Sequence, residues 1–158
     1  MTETNTRCLI LACGNTLRGD DGVGMWLAEW AEEQFRAVPS IRVISQQQWT
    51  PELAEDIAQA ESVVFIDCCQ DSAPGVARVV CVEPCDDVTV SITHHLGAPQ
   101  LLALGRELYA SLPRNSMLLT VGASSLKLGE ELSSLARTAL PEACELLENT
   151  VLDLLVGR

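Results

Sequence analysis

Residues 8–24 carry the apolar run Cys-Leu-Ile-Leu-Ala-Cys directly into Gly-Asn-Thr-Leu-Arg-Gly-Asp-Asp-Gly-Val-Gly. Such an unbroken apolar run reads as a buried strand. After the loop, Val23, Trp26, Leu27, Trp30 and Ala31 recur at helical spacing to about residue 35. The unit is therefore strand, glycine loop, helix. Gly14 and Gly19 have the spacing of a P-loop, which continues with a lysine and a hydroxyl to serve phosphate and Mg²⁺. Here those two positions are Asp20 and Asp21. Two carboxylates repel a phosphate, so the loop is suited to a cation and no nucleotide cofactor is expected.

The same alternation continues along the chain. Residues 7–13, 41–45, 62–66 (closing on Asp67), 76–82 and 118–123 read as strands. Helical stretches lie between or after them. Thr50-Pro51 opens one as N-cap and first helical residue, with Leu53, Ala54, Ile57 and Ala58 buried. A second runs from Pro99 to about residue 111 with Leu101, Leu102, Leu104 and Leu108 inward. A third spans roughly 132–156, with Pro141 as a point of interruption. The pattern predicts a single α/β domain over 1–158, a three-layer sandwich: a mostly parallel, doubly wound, five-stranded sheet with helices on both faces. The fourth strand follows the turn at 71–75 too closely for a helical crossover, so it is expected to be an antiparallel edge strand.

In one common doubly wound order, strands one and three are neighbours where the order reverses, and ligands bind there beyond the strand carboxyl ends. Asp21 follows strand one and Asp67 ends strand three, so both are expected on one rim. Each has an ordinary reading as well: Asp20 or Asp21 as a helix cap, Asp67 as a turn former. Two facing carboxylates, however, call for a cation or a shared proton. His94 and His95, the only histidines, precede the helix that starts at Pro99. One of them beside two carboxylates would complete an O,O,N donor set suited to a divalent transition metal.

Composition narrows the partners. Acids outnumber bases 22 to 10, for a net charge of −12, which disfavours nucleic acid and anionic membranes. An apolar fraction of 47 % argues against disorder, while the apolar runs are too short to span a bilayer. Seven cysteines, two adjacent and none in C-x-x-C spacing, point to a reducing cytoplasm. Cys68, beside Asp67, is a rival nucleophile, though it lacks a cysteine–histidine signature. The Trp26/Trp30 pair reads as helix packing with an edge available to a partner. Trp49, in the polar run 45–49, is expected to be exposed and to contact a bound peptide.

The motif Gly14-Asn15-x-Leu17-x-Gly19-Asp20-Asp21-Gly22-Val23-Gly24 resembles the N-terminal signature of the [NiFe]-hydrogenase maturation endopeptidases. So does the order that follows: a strand ending in Asp67 with Ala73-Pro74-Gly75 beyond it, then Thr93-His94-x-Leu96-Gly97 opening a helix. The resemblance covers most of the chain and implies an α/β sandwich. It implies that Asp21, Asp67 and His94 form a metal-contacting catalytic site, with His95 as second choice for the histidine and Asp20 as a structural neighbour. The glycines would let a metal-bearing tail approach the backbone. One departure is clear: where some members carry Asp-Gly-Gly-Thr, this chain has Gln46-Gln47-Gln48-Trp49.

The activity implied is removal of a C-terminal extension from the hydrogenase large-subunit precursor, with nickel supplied by that substrate and the enzyme a cytoplasmic monomer. The alternatives are a non-proteolytic nickel-binding accessory protein that docks on the large subunit, a nucleotide-binding α/β protein, and a protease of the same fold with another substrate.

Overall fold

A computed structural model describes residues 5–86, 96–129 and 131–157. Five strands build one sheet: β1 (Cys8–Cys13), β2 (Ile41–Gln46), β3 (Ser62–Cys69), β4 (Ala77–Cys81) and β5 (Asn115–Gly122). Their spatial order is β2-β1-β3-β5-β4. All pairings are parallel except β4 with β5, as the short turn before β4 requires. Four helices flank the sheet: α1 (Val23–Gln34), α2 (Leu53–Gln59), α3 (Ala98–Tyr109) and α4 (Ser134–Val156).

The alternation of side chains along a strand divides the core in two. Cys8, Ile10 and Ala12 of β1, with Val64 and Ile66 of β3, pack against Leu27, Ala31, Leu140 and Leu147 of α1 and α4. Leu9, Leu11, Val63 and Phe65 face the other way, onto Leu53 and Ile57 of α2 and Leu101 and Leu102 of α3. Each fully buried side chain of this size contributes about 1.5–3 kcal/mol. This two-sided burial explains why β1 has no polar residue: all six positions are buried.

Several local expectations are corrected. β3 does not stop at Asp67 but pairs on through Cys69 opposite Gly122. α2 begins at Leu53, because Thr50–Glu52 forms a preliminary turn in which the Leu53 and Ala54 amides donate to the Thr50 and Pro51 carbonyls. Leu108 is 61 % exposed, since residues 107–110 at the end of α3 face solvent. Pro141 does not interrupt α4. It removes one amide donor, but buried Ala139, Leu140 and Ala143 hold both sides of it against the sheet.

Candidate active site

The loop after β1 contains a single 3₁₀ turn, Gly19–Gly22, which leads directly into α1. Neither Asp20 nor Asp21 caps that helix: its N-cap is Gly22, with no side-chain hydrogen bond. The two acids turn to different tasks. Asp20 is fully buried. Its carboxylate accepts from the amides of Ser124 (2.8 Å), Ser125 (3.2 Å) and Ser133 (2.7 Å), and from the Ser133 hydroxyl (2.8 Å). Burial raises its pKa, but these hydrogen bonds outweigh that and hold it below the usual carboxylate value. Asp20 thus ties the loop to the segment between β5 and α4, the structural part expected of it.

Asp21 is half-buried and turns the other way. Its Oδ2 accepts the Asn15 amide at 2.8 Å, while Asn15 Oδ1 accepts the Leu17 amide at 2.9 Å. The backbone of Asn15 therefore orients the acid, and the Asn15 side chain shapes the loop that makes this possible. The glycines serve internal packing. A Cβ on Gly14 would lie 2.0 Å from the Asp21 carbonyl oxygen, and Gly19 has φ +55° with its Cβ position 2.6 Å from the Ser125 carbonyl. Gly14 and Gly19 are accounted for by the fold itself.

Asp67 reaches the same rim. Ala12 pairs with Ile66, which puts Cys13 and Asp67 at the next step along neighbouring strands. One Asp67 oxygen accepts the Cys68 amide at 2.8 Å. Asp21 and Asp67 line a cleft of about 460 Å³ at the carboxyl end of β1 and β3, together with Arg18, Gln47, Gln48 and Asp71. This is the juxtaposition expected from the strand order. Gln47 and Gln48, in the segment that departs from the Asp-Gly-Gly-Thr pattern, are walls of the cleft. Arg18, a cation at its mouth, was not anticipated from the sequence, nor was Asp71, which reads there only as a turn residue.

The two carboxylates also act on the thiols around them. Burial, then the charges of Asp21 and Asp67, push the Cys68 thiol up to about 12. Cys13 is driven upward by burial first, then by the charge and hydrogen bond of Asp67 and the charge of Asp21. Both thiols remain protonated at neutral pH, so Cys68 lacks the thiolate that nucleophilic catalysis needs. Among the described residues no three His, Cys, Asp or Glu side chains form a metal cage. His94 and His95 lie outside the described residues.

Trp49 overturns an expectation. It is buried at 7 % exposure and packs edge-on to Phe65 with ring centroids 5.3 Å apart. Its Nε1 has no hydrogen-bond partner among the described residues. The polar neighbours that suggested exposure are the glutamines of the cleft wall.

In three dimensions the chain is similar to HycI, a [NiFe] hydrogenase maturation protease from Thermococcus kodakarensis KOD1. The two are 26 % identical over 91 % of each chain, with a TM-score of 0.69. The fold is that of the hydrogenase maturation proteases. Hydrogenase maturating endopeptidase HybD from E. coli superposes with a TM-score of 0.72 at 19 % identity, covering 93 % of both chains. HybD from Thermococcus kodakarensis does so with 0.68 at 24 %, covering 91 % of this chain and 98 % of its own. No family model matches the sequence, and no curated protein matches it. The maturation-protease fold thus bears out the resemblance read from the loop and the strand-three aspartate. No helix among the described residues is long and apolar enough to cross a membrane.

Proposed function

We propose that this chain is the endopeptidase that removes the C-terminal extension of a [NiFe]-hydrogenase large-subunit precursor, with Asp21, Asp67 and His94 reading nickel already carried by that substrate. The observation that carries the reading is the placement of Asp21 and Asp67 in one cleft of the maturation-protease fold. Two carboxylates supply hard oxygen donors and one imidazole a nitrogen, a set that suits a divalent transition ion. With the surrounding thiols protonated, the carboxylates are the anionic groups that the described cleft offers to a cation.

On this reading metal loading is a condition of cleavage, because the nickel brings the tail to the two acids. A carboxylate placed beside the scissile carbonyl can accept a proton from the attacking water. The β1 and β3 rim holds Asp67 on a strand and Asp21 on an anchored loop, so neither acid has to be ordered when substrate arrives.

The test is incubation of purified chain with nickel-loaded and nickel-free precursor, followed by intact-mass measurement of the precursor. A discrete shortening confined to the loaded form is expected, and Asp21→Asn, Asp67→Asn and His94→Ala are expected to abolish it. Normal rates in all three variants would refute the site assignment. Stable binding without shortening would make the chain a nickel-binding accessory protein instead.

A further inference from the structure

The acidic loop has a second side. Arg18 and Asp21 face the cleft, whereas Thr16, Gly19 and Gly22 line a separate groove of about 230 Å³ with Met25, Trp26 and Leu132. The loop is therefore a wall shared by two depressions. Trp26, 40 % exposed, lines the groove, and the exposed Leu17 (61 %) follows groove residue Thr16, while Leu128 is 79 % exposed. The Gly129 amide donates to the Leu17 carbonyl at 2.7 Å, which holds the Leu17 and Leu128 segments side by side. A lone exposed leucine is ordinary, but an exposed tryptophan lining a groove with Met25 and Leu132 marks an interaction surface. The neighbouring Trp30 is explained internally by its edge contact with Phe35, 6.2 Å between centroids. Trp26 has no such use among the described residues.

Charge selects the occupant. Glu29 and Glu131 line the groove. Glu131 is paired with Arg137 at 2.9 Å and Glu33 of α1 with Arg36, which leaves Glu29 as the acid of the groove with no ion pair among the described residues. A second copy of this chain, with net charge −12, would bring more negative charge to that rim. A partner presenting an apolar side chain flanked by Lys or Arg fits both the patch and its border.

We infer that this patch docks the folded body of the same protein whose tail enters the cleft. The inference rests on the proteolytic reading and deepens it. Two depressions divided by one loop can hold two parts of one substrate: the extended tail beside Asp21 and a basic-rimmed apolar knob beside Trp26.

The probe is a [NiFe]-hydrogenase large subunit lacking its C-terminal extension, which cannot be cut and cannot fill the cleft with a tail. The unaltered chain is expected to bind it, with affinity that falls as salt rises. Trp26→Ala and Leu128→Asp, both exposed sites checked for unchanged thermal unfolding, are expected to weaken that binding at least tenfold, and Glu29→Gln to reduce the salt dependence. Binding within twofold of the unaltered chain in both apolar variants would overturn the inference, as would absence of binding by the unaltered chain. Binding to the tail-less subunit without any cleavage of full-length precursor would sustain the docking surface and sink the proteolytic reading alone. A concentration-dependent dimer of this chain in sedimentation, abolished by Trp26→Ala, would assign the patch to a second copy and also overturn it.

Discussion

Replacing Asp20 should unfold the protein more readily without touching the chemistry, and the size of the effect follows from its contacts. The carboxylate satisfies three backbone amides and one hydroxyl at 2.7–3.2 Å. Asp20→Ala leaves the three amides of Ser124, Ser125 and Ser133 without their acceptor. Each such loss costs about 1–3 kcal/mol, and water entering the space left by the carboxylate recovers some of it. The expected total is about 3–5 kcal/mol, or roughly 6–20 °C in melting temperature for a domain of this size. Asp20→Asn keeps one acceptor oxygen but turns an NH₂ toward donors, so about 2–3 kcal/mol is expected. Urea unfolding followed by circular dichroism at pH 7 measures both. Because the Asp20 pKa is lowered from 3.8 on folding, its stabilisation is fully present above that value. It is lost as pH falls through the depressed folded pKa. The stability gap between parent and Asp20→Ala should therefore be constant near neutrality and narrow only below about pH 4. A gap below about 0.5 kcal/mol at pH 7, the ordinary scatter of surface substitutions, would refute the assignment of Asp20 as the anchor.

Three further outcomes are expected. Cys68→Ala should process precursor normally, and Cys68 in the parent should resist iodoacetamide at pH 7 because its thiol titrates near 12. Rapid alkylation there, followed by mass spectrometry, would contradict this. Trp49→Phe should lie within about 1 kcal/mol of the parent, since it deletes an unpartnered indole N–H along with some packing. Trp49→Ala should cost about 3–5 kcal/mol by chemical denaturation. Gly14→Ala should cost about 3 kcal/mol or prevent soluble expression, because its Cβ would lie 2.0 Å from the Asp21 carbonyl oxygen.

The fold was legible because its core is two-sided. An uninterrupted β1 with Val63–Ile66 of β3 admits only a sheet covered on both faces, and the short turn before β4 admits only an antiparallel edge. The meeting of Asp21 and Asp67 followed from that order. What the sequence did not reveal depends on partners distant in the chain. Trp49 looked exposed because its neighbours are polar, yet Phe65 on β3 buries its ring while Gln47 and Gln48 line the cleft. Local polarity reports the environment of each side chain separately, and here adjacent residues face opposite environments. Asn15 was read as part of a motif, whereas its backbone amide is what aims Asp21.

The division of labour between Asp20 and Asp21 has a geometric cause that composition cannot express. A 3₁₀ turn advances roughly 120° per residue, so adjacent side chains diverge. In Gly19–Gly22 both glycines border the groove. Asp20 takes one direction, into the interior against Ser124 and Ser133. Asp21 takes another, into the cleft beside Asp67. Two identical side chains adjacent in sequence are thereby forced onto different faces, and neither can substitute for the other. Asp21→Asn retains an oxygen for the Asn15 amide, so its stability should stay within about 1 kcal/mol of the parent while precursor processing is lost. Asp20→Asn should show the reverse, reduced stability with processing retained by whatever fraction is folded. Matching phenotypes in the two variants would mean that the turn does not separate the acids, and the assignment of Asp21 to the site would fall with it.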